Sequence, residues 1–382
     1  MIIIFWVVLA ILLFTYFGYP FLLILVAQFS KKPKADESFS PLVSLIIPAY
    51  NEEKIIARKI ENSLSLDYPK ENLEIIVASD GSTDNTKKIT LEYIKRGIKF
   101  FEFPRAGKLN TLNCVFPKTK GEIIILTDAS AIFMPDAIKK LVRHFINEDI
   151  GVVTGVEKIV GGGSCIYLNE RKYWNYETKL KELEGRIYST AGANGPIYAM
   201  RRELFPSIPS HLNICDDMAI SLNAVQKGKR IILEPEAIAL EEVSLSIKDE
   251  LRRKIRIATR AWQTLFYHKN LLLPFKSPIA FFLIFHKLFR WLTFPFMVVL
   301  FISNLFIHGT IFVIFLIAQT VFYILSIISS ILLLWNIKIP SPLAFLGYFF
   351  ITILTQVIGL FNAIFKKGKP LWQPIERKNE KI

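Results

Sequence analysis

Cysteine is scarce in this chain: Cys114, Cys165 and Cys215 are the only three in 382 residues. They are scattered, and no two have the spacing of a metal knuckle or a redox pair, so they read as buried or idle thiols in a reducing compartment. The chain also lacks a P-loop and any GxGxxG turn after a strand, which removes support for Walker-type ATPases and dinucleotide oxidoreductases. Gly161-Gly-Gly163 is rich in glycine, but no phosphate-binding charge follows it in register, and it reads as a flexible loop. Charge is missing from two long stretches. Ile2 to Phe29 is almost wholly apolar and meets the roughly 20 residues that a bilayer-spanning helix needs. It has no basic leader, is too long for a signal-peptide core and ends in no small-x-small site, so the expectation is an uncleaved anchor. Residues 271–365 are apolar again, interrupted at His286–Arg290, His308–Gly309 and Asn336–Pro342.

Between these blocks the composition is that of an ordinary globular domain, although 52 % of the whole chain is apolar. The expected outline is an anchor over 1–30, a soluble domain over 40–270, membrane segments over 271–366 and a basic tail over 367–382. Pro278–Arg290 reads as an interfacial helix, followed by spans near Trp291–Ile307, Thr310–Trp335 and Leu343–Phe365. Lys31, Lys32 and Lys34 directly after the anchor place the soluble domain in the cytoplasm, at a multi-pass cell membrane. Three later spans then put the tail outside, whereas its basic charge argues for inside. The net charge of +14 falls mainly in 248–260, at Lys287 and Arg290, and from Lys366 onward. Those positions flank the apolar blocks, where anionic lipid headgroups attract them. No nucleic-acid motif accompanies them, and nucleic acid is not an expected partner.

Val43–Ile47, Leu73–Ala78, Lys99–Phe103 and Glu122–Thr127 have the apolar, β-branched character of buried strands. Helical patterns lie between them, including Lys108–Val115, and strands alternating with helices predict a mostly parallel α/β sheet. Ligands of such sheets bind beyond the carboxyl ends of the strands. Three of these ends carry acidic or polar signatures: Asn51-Glu-Glu53, Asp80 with Asp84, and Asp128-Ala-Ser130. Asp84 also suits an N-cap, since its carboxylate accepts free first-turn amides. Carboxylates converging on one rim need a cation or a sugar hydroxyl between them. Mg²⁺ or Mn²⁺ takes oxygen ligands and keeps substrate phosphates in its shell, so Asp128 is a candidate ligand for a metal that neutralises a leaving diphosphate.

Taken in order, Pro48-Ala-Tyr-Asn-Glu-Glu53, Asp80-Gly-Ser-Thr-Asp84, Arg105-Ala-Gly-Lys-Leu-Asn110, Thr127-Asp-Ala-Ser130, Gly192-Ala-Asn-Gly195 and Cys215-Asp-Asp-Met218 resemble the family 2 glycosyltransferases. That group holds cellulose, chitin and hyaluronan synthases and many lipid-linked sugar transferases. The resemblance spans about Val43 to Trp262 and implies a GT-A nucleotide-sugar-binding domain with a divalent metal, Mg²⁺ or Mn²⁺. It implies that Ala49, Tyr50 and Glu52 line the nucleoside pocket and that Asp80 contacts the base. Lys108 would meet the diphosphate, and Asp128 stands at the first position of a DxD motif. Asp217 corresponds to the general base, and inversion and a UDP-sugar donor are implied likewise. The acceptor is a polysaccharide or a lipid-linked sugar.

The residues agree with the base assignment. Attack by an acceptor alcohol needs one group to take its proton. Asp216-Asp217 precedes the helical run Met218–Val225, so one carboxylate can cap the helix while the other does chemistry. Two departures stand out. Ser130 replaces the second Asp of DxD, a poorer metal ligand. Arg256-Ile-Ala-Thr-Arg260-Ala-Trp262 keeps Arg and Trp of a QxxRW motif without its Gln or spacing. Arg256 and Arg260 are candidates for the diphosphate or for snorkelling to the membrane surface, and Trp262 for stacking on a sugar. Asn194-Gly195 faces the acceptor in related enzymes. Tyr167–Tyr176 can stack on sugars or pack in a core, and Trp372 and Arg377 resemble a late element of some polysaccharide synthases. The rival classes are a non-catalytic nucleotide-binding scaffold and a transporter; spans almost free of charge disfavour the latter.

Overall fold

The computed structural model describes residues 1–160, 165–242, 247–274, 277–335 and 337–365. The triglycine at 161–163 and the basic tail with Trp372 and Arg377 lie outside the described residues. Eight strands form one sheet: β1 Val43–Ala49, β2 Leu73–Asp80, β3 Ile98–Phe103, β4 Ile123–Thr127, β5 Ile132–Phe133, β6 Ile150–Val160, β7 Ile197–Arg201 and β8 Arg230–Glu242. Their order is β3-β2-β1-β4-β7-β6-β8-β5. The β3-β2-β1-β4 part is parallel, and every residue of β1 and β4 is buried, as expected where helices cover both faces. The other half is mixed: β7 runs antiparallel to β4 and β6, β6 is parallel to β8, and β5 is antiparallel to β8. This is a GT-A fold.

Helices α1 Ile2–Phe29, α2 Ile56–Leu64, α3 Thr86–Leu91, α4 Lys108–Val115, α5 Ala137–Val142, α6 Cys165–Ile187, α7 Asp216–Gln226 and α8 Ile247–Tyr267 accompany the sheet. Then come α9 Ile279–Trp291, α10 Thr293–Leu305, α11 Thr310–Leu334 and α12 Ser341–Ile364. Among the described residues α1, α11 and α12 are long and apolar enough to cross a membrane. The expected span at Trp291–Ile307 falls on α10, 13 residues long and bent 65° from α9; the two together are apolar and long enough for one broken span or a re-entrant loop. At 1.5 Å per residue α10 by itself reaches about 20 Å, short of a hydrocarbon core about 30 Å thick. Both α1 and α9 contain a wide π turn, at Phe14–Gly18 and Leu283–Leu288. In α1 it lies just before Pro20, which has no amide to donate.

The membrane helices and the sheet share a core. Tyr19, Leu23 and Ala27 of α1 and Phe282 and Leu283 of α9 belong to the same buried cluster as Ile46, Ile124 and Ile231 of the sheet. A buried polar knot reinforces the junction. Glu184 of α6 accepts hydrogen bonds from Tyr19 and from the Ala191 amide (3.2 Å), and lies 2.6 Å from His286 Nδ1. Glu177, one helical face along, pairs with His286 (2.9 Å), Lys287 (2.6 Å) and Arg290 (2.9 Å).

Candidate functional site

The strand order leaves β1 in opposite directions toward β2 and β4, and this reversal places the crevice at their carboxyl ends. The loops after β1 and β2 are clasped there. Asn51 accepts the Thr83 amide (2.8 Å) and donates to the Thr83 hydroxyl (3.2 Å), from a left-handed backbone (φ 53°) that asparagine tolerates. Asp84 accepts the amides of Glu53 (3.0 Å) and Thr86 (3.0 Å), so it does serve the start of α3. Asp80 is buried. Its carboxylate accepts the amides of Ala106 (2.8 Å) and Gly107 (3.0 Å) and pairs with Arg105, whose guanidinium sits 3.2 Å from the centre of the Tyr50 ring. Ala49 is buried within β1. These three donor-side residues therefore stand behind the rim, and Glu52 alone of the β1 set lines the cavity.

That cavity, of about 390 Å³, is where the remaining residues meet. Lys108 opens α4 and bridges Asp128 (2.7 Å) and Asp216 (2.9 Å). Burial works against its charge, but the two carboxylates outweigh burial and hold the ammonium above its usual range. Asp217, in the first turn of α7, accepts the Met218 amide (2.8 Å). Burial and then Asp216 push its carboxyl up to about 6. Because β7 is antiparallel to β4, Ile197 stands opposite Thr127 and the loop 192–196 arrives beside Asp128. Gly195 touches Asp217: a Cβ there would lie 3.2 Å from Oδ2. Asn194 is fixed by its amide to Thr154 Oγ1 (2.8 Å), by Nδ2 to the Gly155 carbonyl (2.7 Å), and by Lys181 Nζ donating to its Oδ1 (2.6 Å).

Ser130 donates to Glu241 Oε1 (2.8 Å), so the carboxylate missing from the DxD position stands one shell away, on β8. Glu157 of β6 is beside it, its carboxyl pushed well up by burial and by Glu241. Beneath them Lys59, fully buried, donates to Thr127 Oγ1 (3.1 Å) and to the Ala131 carbonyl; burial lowers its ammonium to about 7. Among the described residues no group of three or more His, Cys, Asp or Glu is placed to hold a metal. Asp128 with Ser130 and Glu241 fits an ion that takes its other ligands from phosphates and water.

Arg256 and Arg260 line the cavity from α8. Arg260 donates to Asn213 (2.9 Å), and Arg256 has no hydrogen-bond or ion-pair partner among the described residues. Trp262 does not join them. It is 2 % exposed, donates from Nε1 to the Gln356 carbonyl (3.1 Å) and packs edge-on against Trp291, so the expected sugar platform is a brace between α8 and α12. Sequence reasoning missed Lys181, Glu157, Glu241, Lys287 and Gln356, which all line the cavity. For one group a signal existed: Glu177, Lys181 and Glu184 recur at one face of α6.

Residues 44–208 match the family model described as Glycosyl transferase family 2. A relative from Bacillus subtilis (strain 168), "Probable glycosyltransferase YdaM", is 28 % identical over 57 % of this chain and 54 % of its own length. The "Beta-monoglucosyldiacylglycerol synthase" of Nostoc sp. is 37 % identical over 30 % of this chain and 25 % of its own. The chain thus spans about half the length, or less, of these curated relatives. A solved structure, "Mannosyltransferase PcManGT from Pyrobaculum calidifontis in complex with GDP-Man and Mn2+", superposes with a TM-score of 0.70 at 20 % identity, over 96 % of this chain and 100 % of that one.

Proposed function

We propose that the chain, whose residues 44–208 match the model described as Glycosyl transferase family 2, transfers a sugar from a nucleoside diphosphate sugar to an acceptor hydroxyl at the cytoplasmic membrane face, with inversion. The observation that carries this is the shared cavity, in which half-buried Asp217 lies against Gly195 and shares the lining with the Lys108–Asp128–Asp216 cluster. The acceptor oxygen attacks the anomeric carbon as Asp217 takes its proton, and the nucleoside diphosphate departs with the electron pair of the broken bond. Lys108, Arg256 and Arg260 bring positive charge to the departing diphosphate. Asp128, with Ser130 and Glu241, would hold the divalent metal, which supplies charge neutralisation when bound. Asp80 and Tyr50 flank the base once the Arg105 side chain makes room. A uridine donor follows from the family resemblance, while the solved structure of like fold is titled with GDP-Man and Mn2+, so both nucleotides belong in the assay.

The test is nucleoside diphosphate release and sugar transfer by the purified full chain with Mg²⁺ or Mn²⁺ and a panel of UDP- and GDP-sugars. Turnover of at least one donor is expected. Donor binding without turnover of any donor would instead support a nucleotide-binding scaffold.

A further inference from the structure

The cavity does not close within the catalytic domain. Tyr348, Thr352, Thr355 and Gln356 of α12 line it together with Asp217. Their spacing of four, three and one puts them on one face of a helix otherwise apolar enough to cross a bilayer. On the same helix Phe345, Ile358 and Phe361 are exposed, so apolar side chains meet the surroundings while polar ones meet the cavity. The polar wall is rich in acceptors. The Thr352 and Thr355 hydroxyls donate to the carbonyls of Tyr348 (2.8 Å) and Thr352 (2.7 Å), so each oxygen keeps its acceptor capacity. Gln356 Oε1 is buried with no hydrogen-bond partner among the described residues. An amide oxygen left so is costly unless a ligand donates to it. Trp262 pins the same turn of α12 through the Gln356 backbone, so the wall is fixed in place.

We propose, resting on the transferase reading above, that Thr352, Thr355 and Gln356 form the acceptor subsite, and that the acceptor is a membrane lipid with a hydroxylated head. The head donates hydroxyls to this wall. One further head hydroxyl gives its proton to Asp217, its oxygen bonds to the anomeric carbon, and the carbon–diphosphate bond breaks with its electrons leaving on the nucleotide. Between α11 and α12 there is no gap for a polymer at Gly347. Ser330 of α11 donates to the Gly347 carbonyl (3.1 Å), and a Cβ on Gly347 would lie 2.7 Å from the Ser329 backbone. The contact between α11 and α12 is closed.

The experiment uses the full chain in phosphatidylcholine vesicles carrying either diacylglycerol or a monoglycosyl diacylglycerol, with radiolabelled UDP- and GDP-sugars. Label should enter the organic-soluble fraction, and the two lipids tell a glycerol hydroxyl from a sugar hydroxyl. Gln356→Leu and Thr352→Val should each raise the lipid KM roughly tenfold while the donor KM stays within about twofold. Thr352→Ser, which keeps the hydroxyl, should restore the lipid KM. An unchanged lipid KM in Gln356→Leu with a wild-type melting temperature would overturn the subsite. Label confined to high-mass glycosidase-sensitive material would overturn the lipid acceptor and leave the transferase intact. Absence of turnover with every donor and both lipids would overturn the transferase reading and the subsite with it.

Discussion

Burial raises the carboxyl of Asp217, while neighbouring carboxylates keep the Lys108 ammonium charged against it. Asp217 has to be a carboxylate to accept a proton, and its carboxyl is pushed up to about 6 by burial and Asp216. The turnover number should therefore be level above that pH and fall about tenfold per unit below it. A pH profile of kcat checks this. Asp217→Glu should move the acid limb, whereas a limb that stays put would assign it to another group. Gly195→Ala inserts a Cβ 3.2 Å from Asp217 Oδ2 and should lower kcat more than it raises the donor KM. Lys59 makes a stability prediction. Its folded-state ammonium is lowered to about 7 from an ordinary 10.5, so between these values the unfolded chain binds more protons than the folded one. Stability must then rise with pH over that window and be lower beneath it. Lys59→Met should flatten the rise in thermal melts taken from pH 7 to 10.

At the scale of elements, the sequence was most legible where chemistry and strand ends coincide. Lys108–Val115 is a helix with the expected bounds, β3 begins one residue before its expected start, and Lys108 pairs with Asp128 and Asp216, residues that the family motifs singled out. Asp128 sits in the loop after β4 and the others in the first turns of α4 and α7, where a charge beside a motif is conspicuous. Lys59, Glu157, Lys181 and Glu241 sit inside helices and strands, where a charge ordinarily marks the solvent face. Tertiary contacts bury them, and no local pattern announces that. Trp262 failed for the related reason that α8 meets α12, which lies almost a hundred residues later in the chain. The DxD position was legible as a departure but not its remedy, because Glu241 reaches Ser130 through the pairing of β8 with β5, about a hundred residues apart in the chain. Glu241→Gln should raise the half-saturating Mn²⁺ concentration roughly tenfold, measured by transfer in metal-buffered assays; no change would remove Glu241 from the metal site.

As a whole molecule, the chain is an α/β catalytic unit fused to its membrane helices through shared core and buried charge. Glu184 joins α1, α6, α9 and the loop at Ala191, while Glu177 fixes Lys287 and Arg290. Removing one member leaves the others buried and unpaired, so Glu184→Ala should cost about 3–5 kcal/mol. Thermal unfolding in detergent reads this loss directly, and a melting temperature equal to wild type would show the knot to be idle. The same fusion explains why the cavity has two kinds of wall. One end is made by strand-end loops with carboxylates and Lys108, and the other by a helix whose outer face is apolar. The central claim concerns the atom between them. Sugar transfer by Asp217→Asn, measured beside donor binding by calorimetry, tests it most directly. The account predicts donor affinity near wild type and transfer reduced about 10²–10⁴-fold; transfer at the wild-type rate would contradict it.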